Sequence, residues 1–208
     1  MINLKNVTLW IIGINVILFL LIFPFAVSNA KVLSFVAFNP ADFVHGINVW
    51  TLITSVFMHG SPSHLFLNMF SLMFIGGFLE RLIGSKRFLG IYLISGIFAN
   101  LFYVLVYLTF GIDSIPAVGA SGAIFGIAGM LAVLTPKMPI YIMFIPVAMP
   151  MWFGVTLMLA VLWVLTLLAG LPIGNEAHLG GLLCGLAYAF YLRKKHWHKA
   201  RIIARYYS

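Results

Sequence analysis

Apolar residues run along this chain in long unbroken blocks, and the breaks between blocks carry charges, glycine or proline. A helix needs roughly 20 apolar residues to cross a ~30 Å hydrocarbon layer. The blocks predict six such spans, at residues 8–27, about 62–78, 88–110, 121–134, 151–169 and 177–192. The fourth is short: its fourteen residues give only about 21 Å of helix. If its inner end reaches the membrane boundary, residues 111–120 must dip below the outer surface as irregular backbone. Such backbone is tolerated only against protein or beside a water-filled cavity. The longest stretch outside the spans, residues 28–61, holds Phe35, Val36, Phe38, Phe43, Val44, Val49 and Trp50. It is predicted to fold on or in the outer leaflet. No repeat or linker divides the chain, so one all-α membrane domain over residues 1–208 is expected, with residues 195–208 as a basic tail.

Composition agrees. Of 208 residues, 63% are hydrophobic and 8% charged, and the mean hydropathy is +1.11. Soluble domains average about 25% charged residues, so neither a water-soluble globule nor a disordered chain is expected. The only cysteine, Cys184, excludes an internal disulfide and a cysteine-based metal site.

The net charge of +8 would suit nucleic acid were its cations not so unevenly placed. With a cytoplasmic N-terminus, Lys5, Arg81, Lys86, Arg87, Lys137, Arg193, Lys194, Lys195, Lys199, Arg201 and Arg205 all fall inside, and Lys31 alone falls outside. Such asymmetry sets membrane orientation. It predicts six spans with both termini cytoplasmic, a C-terminal end carrying Trp197, Tyr206 and Tyr207 among lipid headgroups, and no nucleic-acid partner. Small residues near 26–30 resemble a leader-peptide cleavage site, but the first block exceeds the usual 7–15 apolar residues of a leader. Asn6-Val7-Thr8 is a glycosylation sequon by pattern alone, on the predicted inner side.

Polar groups inside spans are costly and are functional candidates by default. Here they are His64, Asn68, Ser121 and His178, with His59 just ahead of the second span. Ser121 precedes Lys137 by 16 residues, His178 precedes Arg193 by 15, and His64 and Asn68 precede Arg81 by 17 and 13. All four therefore lie roughly 20–26 Å above the inner boundary. Two small-residue stripes, Gly119/Gly122/Gly126/Gly129 and Ala177/Gly181/Gly185/Ala189, predict close packing of the fourth and sixth helices. Packing accounts for the glycines. It accounts for neither a hydroxyl nor an imidazole.

A serine hydroxyl becomes a nucleophile when a base takes its proton, and histidine is the usual base near neutral pH. Ser121 and His178 fit that pair. Glu80 lies at the other membrane face and Glu176 faces away from His178 on a helix; Asp42 and Asp113, in outer segments, stay open as a third member, and a dyad is favoured over a triad. An oxyanion needs donors. Candidates are His64 and Asn68, which share a helix face, and the Ser121 N–H at a helix N-terminus. Phe125, one turn from Ser121, is placed to stack on His178. The residues alone leave alternatives open: a transporter or channel site, a structural or chaperone-like bundle, or a metal cluster of His59, His64 and His178.

The motifs resemble those of the rhomboid intramembrane serine proteases over nearly the whole chain. Gly119-Ala120-Ser121-Gly122 resembles the family's G-x-S-G, with Ser121 as nucleophile. Ala177-His178-Leu179-Gly180-Gly181, followed by Gly185, resembles the A-H-x-x-G-x-x-x-G of the sixth helix, with His178 as base. His64 and Asn68 form the H-x-x-x-N that assists the oxyanion. His59, Trp50, Glu80 and Gly84 also stand at family positions. There are departures. Thr51 replaces the arginine that follows the tryptophan. Arg81 adjoins Glu80, with Leu82 where the arginine is expected. Phe125 stands where many members have tyrosine. The first two put the outer loop and the cytoplasmic end in question.

The resemblance implies a six-helix core without the seventh helix of many eukaryotic members, in a prokaryotic plasma membrane. It further implies single-span membrane proteins as substrates, lateral entry near the second and fifth helices, a mobile cap at residues 171–176, and no metal, nucleotide or redox cofactor.

Overall fold

The computed structural model describes residues 6–142 and 145–195. Lys5, Lys199, Arg201, Arg205, Trp197, Tyr206 and Tyr207 lie outside the described residues. The fold is predominantly helical. Four helices are long and apolar enough to cross a membrane. They are α1 (Val7–Ser28), the continuous run of α5 (Pro62–Ser71), a π turn and α6 (Gly77–Ile83), then α7 (Ser85–Phe110) and α9 (Met151–Ala169). Between α1 and α5 lie three short helices, α2 (Ala30–Val36), α3 (Pro40–Val44) and α4 (Thr51–Thr54), and a 3-10 turn at Ser55–Phe57. The fourth predicted span is α8 (Ser121–Leu134) and the sixth is α10 (Asn175–Lys195), whose last turn is basic.

Boundaries differ from expectation where helix ends are decided by contacts. The second span continues to Ile83 instead of ending near Phe78, because the π turn Leu72–Gly76 carries the helix through without a break. The third starts at Ser85, immediately after Gly84 at φ 85°. Its other end is Gly111 at φ 62°, a left-handed stop. α10 begins two residues earlier than expected and runs three further. No element is predicted between the fourth and fifth spans, yet an antiparallel hairpin stands there, β1 (Pro139–Ile142) and β2 (Ile145–Pro150). The prolines pair opposite each other at its open end, where neither disturbs the ladder interior.

α8 is the axis of the fold. All of its residues but Ser121 and Ala132 are buried, and it packs chiefly on α10 and α7. The predicted stripes meet here. A side chain at Gly181 would run into the Gly122 carbonyl, and one at Gly185 into the Gly126 carbonyl. The two backbones are in contact, so any side chain at these positions would separate the helices. Gly119 is a correction to its stripe: it precedes α8 and its role lies elsewhere.

The outer segment is folded, as expected. Asn29 and Asn39 cap α2 and α3 by accepting from Lys31 N and from Ala41 and Asp42 N. Three side-chain to backbone hydrogen bonds tie the segment together. Trp50 Nε1 donates to Phe35 O at 2.9 Å, Asn48 Nδ2 to Ser34 O at 3.0 Å, and Thr51 Oγ1 to Asn48 O at 2.6 Å. Residues 111–120 form no regular element beyond one bridge, Ala117 to Phe38.

At the other end, Glu80 ties three helices together. Its carboxylate accepts from Val7 N at 2.7 Å, from Thr8 N at 2.8 Å, from Thr8 Oγ1 at 2.6 Å and from Ser85 Oγ at 2.6 Å. A buried anion at the N-termini of α1 and α7 satisfies free N–H groups and opposes the helix dipoles. Glu80 makes these contacts without the expected arginine.

Candidate functional site

An open cavity of about 1420 Å³ runs between the α5–α6 wall and α9, with α8 behind it. Its lining begins at Ser63 and His64 and continues past Phe74 and Phe78 to Arg81. On α9 the lining residues are Met151, Gly154, Val155, Met158, Leu162 and Thr166. That spacing is one helical face. At about 1.5 Å per residue the walls extend roughly 22–27 Å, most of a hydrocarbon core.

Ser121 is the first residue of α8. The chain reaches it through Gly119, whose φ of 128° is a conformation that side-chain-bearing residues rarely adopt. The position is also too crowded for one: a Cβ there would sit 2.8 Å from the His64 ring and 3.6 Å from Asn68 Nδ2. Gly119 N donates to Ser55 O at 3.0 Å, fixing the approach. Gly119 thus lets the irregular segment pass against two polar side chains of α5.

His178 sits in the first turn of α10. Its N–H bonds Gly174 O at 3.1 Å, and Asn175 Nδ2 donates to Thr166 Oγ1 at 2.8 Å, tying the start of α10 to α9. His178 Nε2 and Ser121 Oγ are hydrogen-bonded at 2.7 Å. The imidazole is 6% exposed and stacks on Phe125, with centroids 4.8 Å apart and planes 25° apart. Among the described residues nothing bonds its Nδ1, so the ring is oriented by packing. Gly122 and Gly181 lie in the α8–α10 contact beneath the pair.

His64 and Asn68 project from the same face of α5, whose start is set by Pro62 and by Ser61 accepting from His64 N at 3.1 Å. Asn68 Nδ2 also donates to His64 O at 3.1 Å. His59 is buried with its ring edge-on to His64, centroids 5.1 Å apart. Burial, and then the His64 charge, hold its pKa down to about 3. His59 therefore stays neutral. Among the described residues no group of His, Cys, Asp or Glu is arranged to hold a metal ion. Asp42 lies on α3 and Asp113 and Glu176 line the cavity, but none reaches His178 Nδ1. Glu176 lies in the first turn of α10 and borders the cavity, with no hydrogen bond to His178 Nδ1.

Sequence reading missed Asn100, Tyr103 and Ser55, which also line the cavity. Asn100 Nδ2 donates to Leu52 O at 2.9 Å and to Ser55 Oγ at 3.0 Å, holding the outer segment against α7. Tyr103 OH donates to Ile115 O at 3.1 Å and accepts from Ile115 N at 3.0 Å, pinning the segment before Gly119. Asn100 was findable: it is a polar side chain inside a predicted span, as are the fully buried Asn15 and Ser95.

The profile of the rhomboid domain matches residues 47–195, which includes every residue of this site. The chain is 36% identical over 157 residues to RHOMBOID-like protein 1 of Arabidopsis thaliana, 74% of this chain and 37% of that one. It is 40% identical over 146 residues to RHOMBOID-like protein 5 of the same plant, 69% and 44% respectively. It is also 42% identical over 81 residues to the putative rhomboid protease YdcA of Bacillus subtilis, 39% of each chain. The matched part spans less than half the length of these relatives. A further relative in Arabidopsis, matched over 45% of this chain, carries the name inactive RHOMBOID-like protein 8.

Proposed function

The chain belongs to the rhomboid family and is a multi-pass integral membrane protein; on that premise we propose that it is an intramembrane serine endopeptidase with Ser121 as nucleophile and His178 as base. The carrying observation is the 2.7 Å hydrogen bond between His178 Nε2 and Ser121 Oγ at the head of an open cavity. With the imidazole proton on Nδ1, Nε2 accepts the serine proton as Oγ attacks the scissile carbonyl. The tetrahedral oxyanion is received by the Ser121 N–H at the start of α8, by Asn68 Nδ2 and by the His64 ring. His178 then gives its proton to the departing amine, leaving an acyl-serine. Water, deprotonated by the same imidazole, attacks the ester, and collapse returns the proton to Ser121. The cycle needs no cofactor. Phe125 and Gly119 hold the geometry, and Gly122 and Gly181 hold the two helices together.

In this reading α8 and α10 complete six spans, and both termini face the cytoplasm. Substrates are single-span membrane proteins cut where their helix unwinds, since a peptide bond inside an intact helix is shielded by its hydrogen bonding. A serine-directed fluorophosphonate should label the purified protein and fail on Ser121→Ala. Cleavage of a single-span substrate should vanish in His178→Ala and survive a chelator. Equal labelling of wild type and Ser121→Ala would reject the assignment, and loss of activity on chelation would favour a metal site.

A further inference from the structure

The cavity does not end at Ser121. It continues down the α5–α6 wall to Arg81, where the hairpin residues Ile140 and Tyr141 form its far side. Among the described residues its charged lining is polarised along that length: Asp113 and Glu176 border the Ser121 end, and Arg81 borders the other.

Arg81 is not merely a cation at a span terminus. Its guanidinium folds back along its own helix, with an Nη atom 4.0 Å from where Gly77 would carry a Cβ. Arg81 is exposed and lines the cavity, with its side chain leaning back along its helix as long helical side chains do. Its neighbour Glu80 is spent on the N-termini of α1 and α7. Among the described residues Arg81 has no ion-pair partner. Lys86 and Arg87, close by in sequence, do not line the cavity.

Resting on the protease reading above, we propose that Arg81 is a specificity residue that selects substrate segments carrying an acidic side chain at the end distant from the cut. His64 and Asn68 precede Arg81 by 17 and 13 residues on one continuous helical run. A substrate helix lying beside that run has the same rise per residue. The complementary carboxylate therefore lies roughly 13–17 residues from the scissile bond. This is the reverse of the usual membrane segment, whose inner end carries Lys or Arg. Most spans would present a like charge to Arg81, so the residue rejects as well as recruits.

The test uses two single-span proteins that differ only in Glu or Lys at that position, in detergent micelles where no bilayer imposes an orientation. Wild type should cleave the Glu form with kcat/KM about fivefold higher. Arg81→Gln should abolish the preference and Arg81→Glu should reverse it, with fluorophosphonate labelling of Ser121 unchanged as the check on folding. Equal cleavage of both substrates by wild type overturns the proposal. So does an Arg81→Gln that slows both alike only in phosphatidylglycerol vesicles, which would make the guanidinium a lipid phosphate site. If neither protein is cleaved and Ser121 is not labelled, the protease reading fails. The charge preference is then read separately as binding of the two fluorescently labelled segments to Ser121→Ala, where equal affinities overturn it.

Discussion

The two seams flanking α8 are built oppositely. Against α10, α8 has backbone on backbone: Gly181 and Gly185 meet the carbonyls of Gly122 and Gly126. On the other side, between α5–α6 and α9, an open cavity separates the helices, and α9 buries only Met151, Gly154 and Val155. The 2.7 Å hydrogen bond between His178 and Ser121 crosses the closed seam, and the chemistry proposed above depends on it. The open seam carries no such contact. Dense packing transmits small errors directly to a catalytic distance, whereas loose packing admits a guest without disturbing it.

The comparison breaks most sharply at Gly181. Gly181→Val should destabilise the fold by about 3 kcal/mol or more, since no side chain is present to yield, with loss of labelling and a lower melting temperature in detergent. Unchanged melting would mean that the seam is not closed. His64→Ala should leave melting and KM near wild type but lower kcat by about 10²–10³. A rise in KM alone would make His64 a binding residue. Phe125→Leu keeps most of the volume but removes the stacked ring from His178. About a tenfold fall in kcat is expected, through misorientation of the base.

On the open side, Met158→Trp should reduce kcat/KM for a single-span substrate severalfold while a small fluorophosphonate labels Ser121 at the wild-type rate. Slower labelling would tie α9 to the chemistry. A last test concerns His59. Its folded pKa is depressed to about 3, so the unfolded chain, with a pKa near 6.5, binds the extra proton. The stabilisation is complete above about pH 6.5 and is lost as pH falls toward 3. His59→Phe should flatten the dependence of melting temperature on pH over that interval, and an unaltered slope would remove His59 from the account.

Several features were legible because they obey rules local to the chain. Span positions follow from apolar block length. The short α8 follows from the early Thr135-Pro136, and its approach to α10 from glycines spaced by one helical turn. The expected common depth of Ser121, His178, His64 and Asn68 rested on the helical rise and the positions of the cations, and the structure brings Ser121 to His178. Gly119 was grouped with the packing glycines because spacing cannot reveal a left-handed backbone. Asn100, Tyr103 and the hairpin were missed because their partners, Ser55, Ile115 and Gly154, lie far away in sequence or on another element.

The amino-acid order alone thus determined a membrane-embedded helical protein with a hydroxyl, an imidazole and two candidate oxyanion donors at one level. Those properties depend on transfer free energy and on a fixed rise per residue, which every segment carries with it. Which seam closes, where the cavity runs, and that Arg81 lines it were decided only when the helices packed. These depend on which atoms of distant segments exclude one another, and no single segment contains that information.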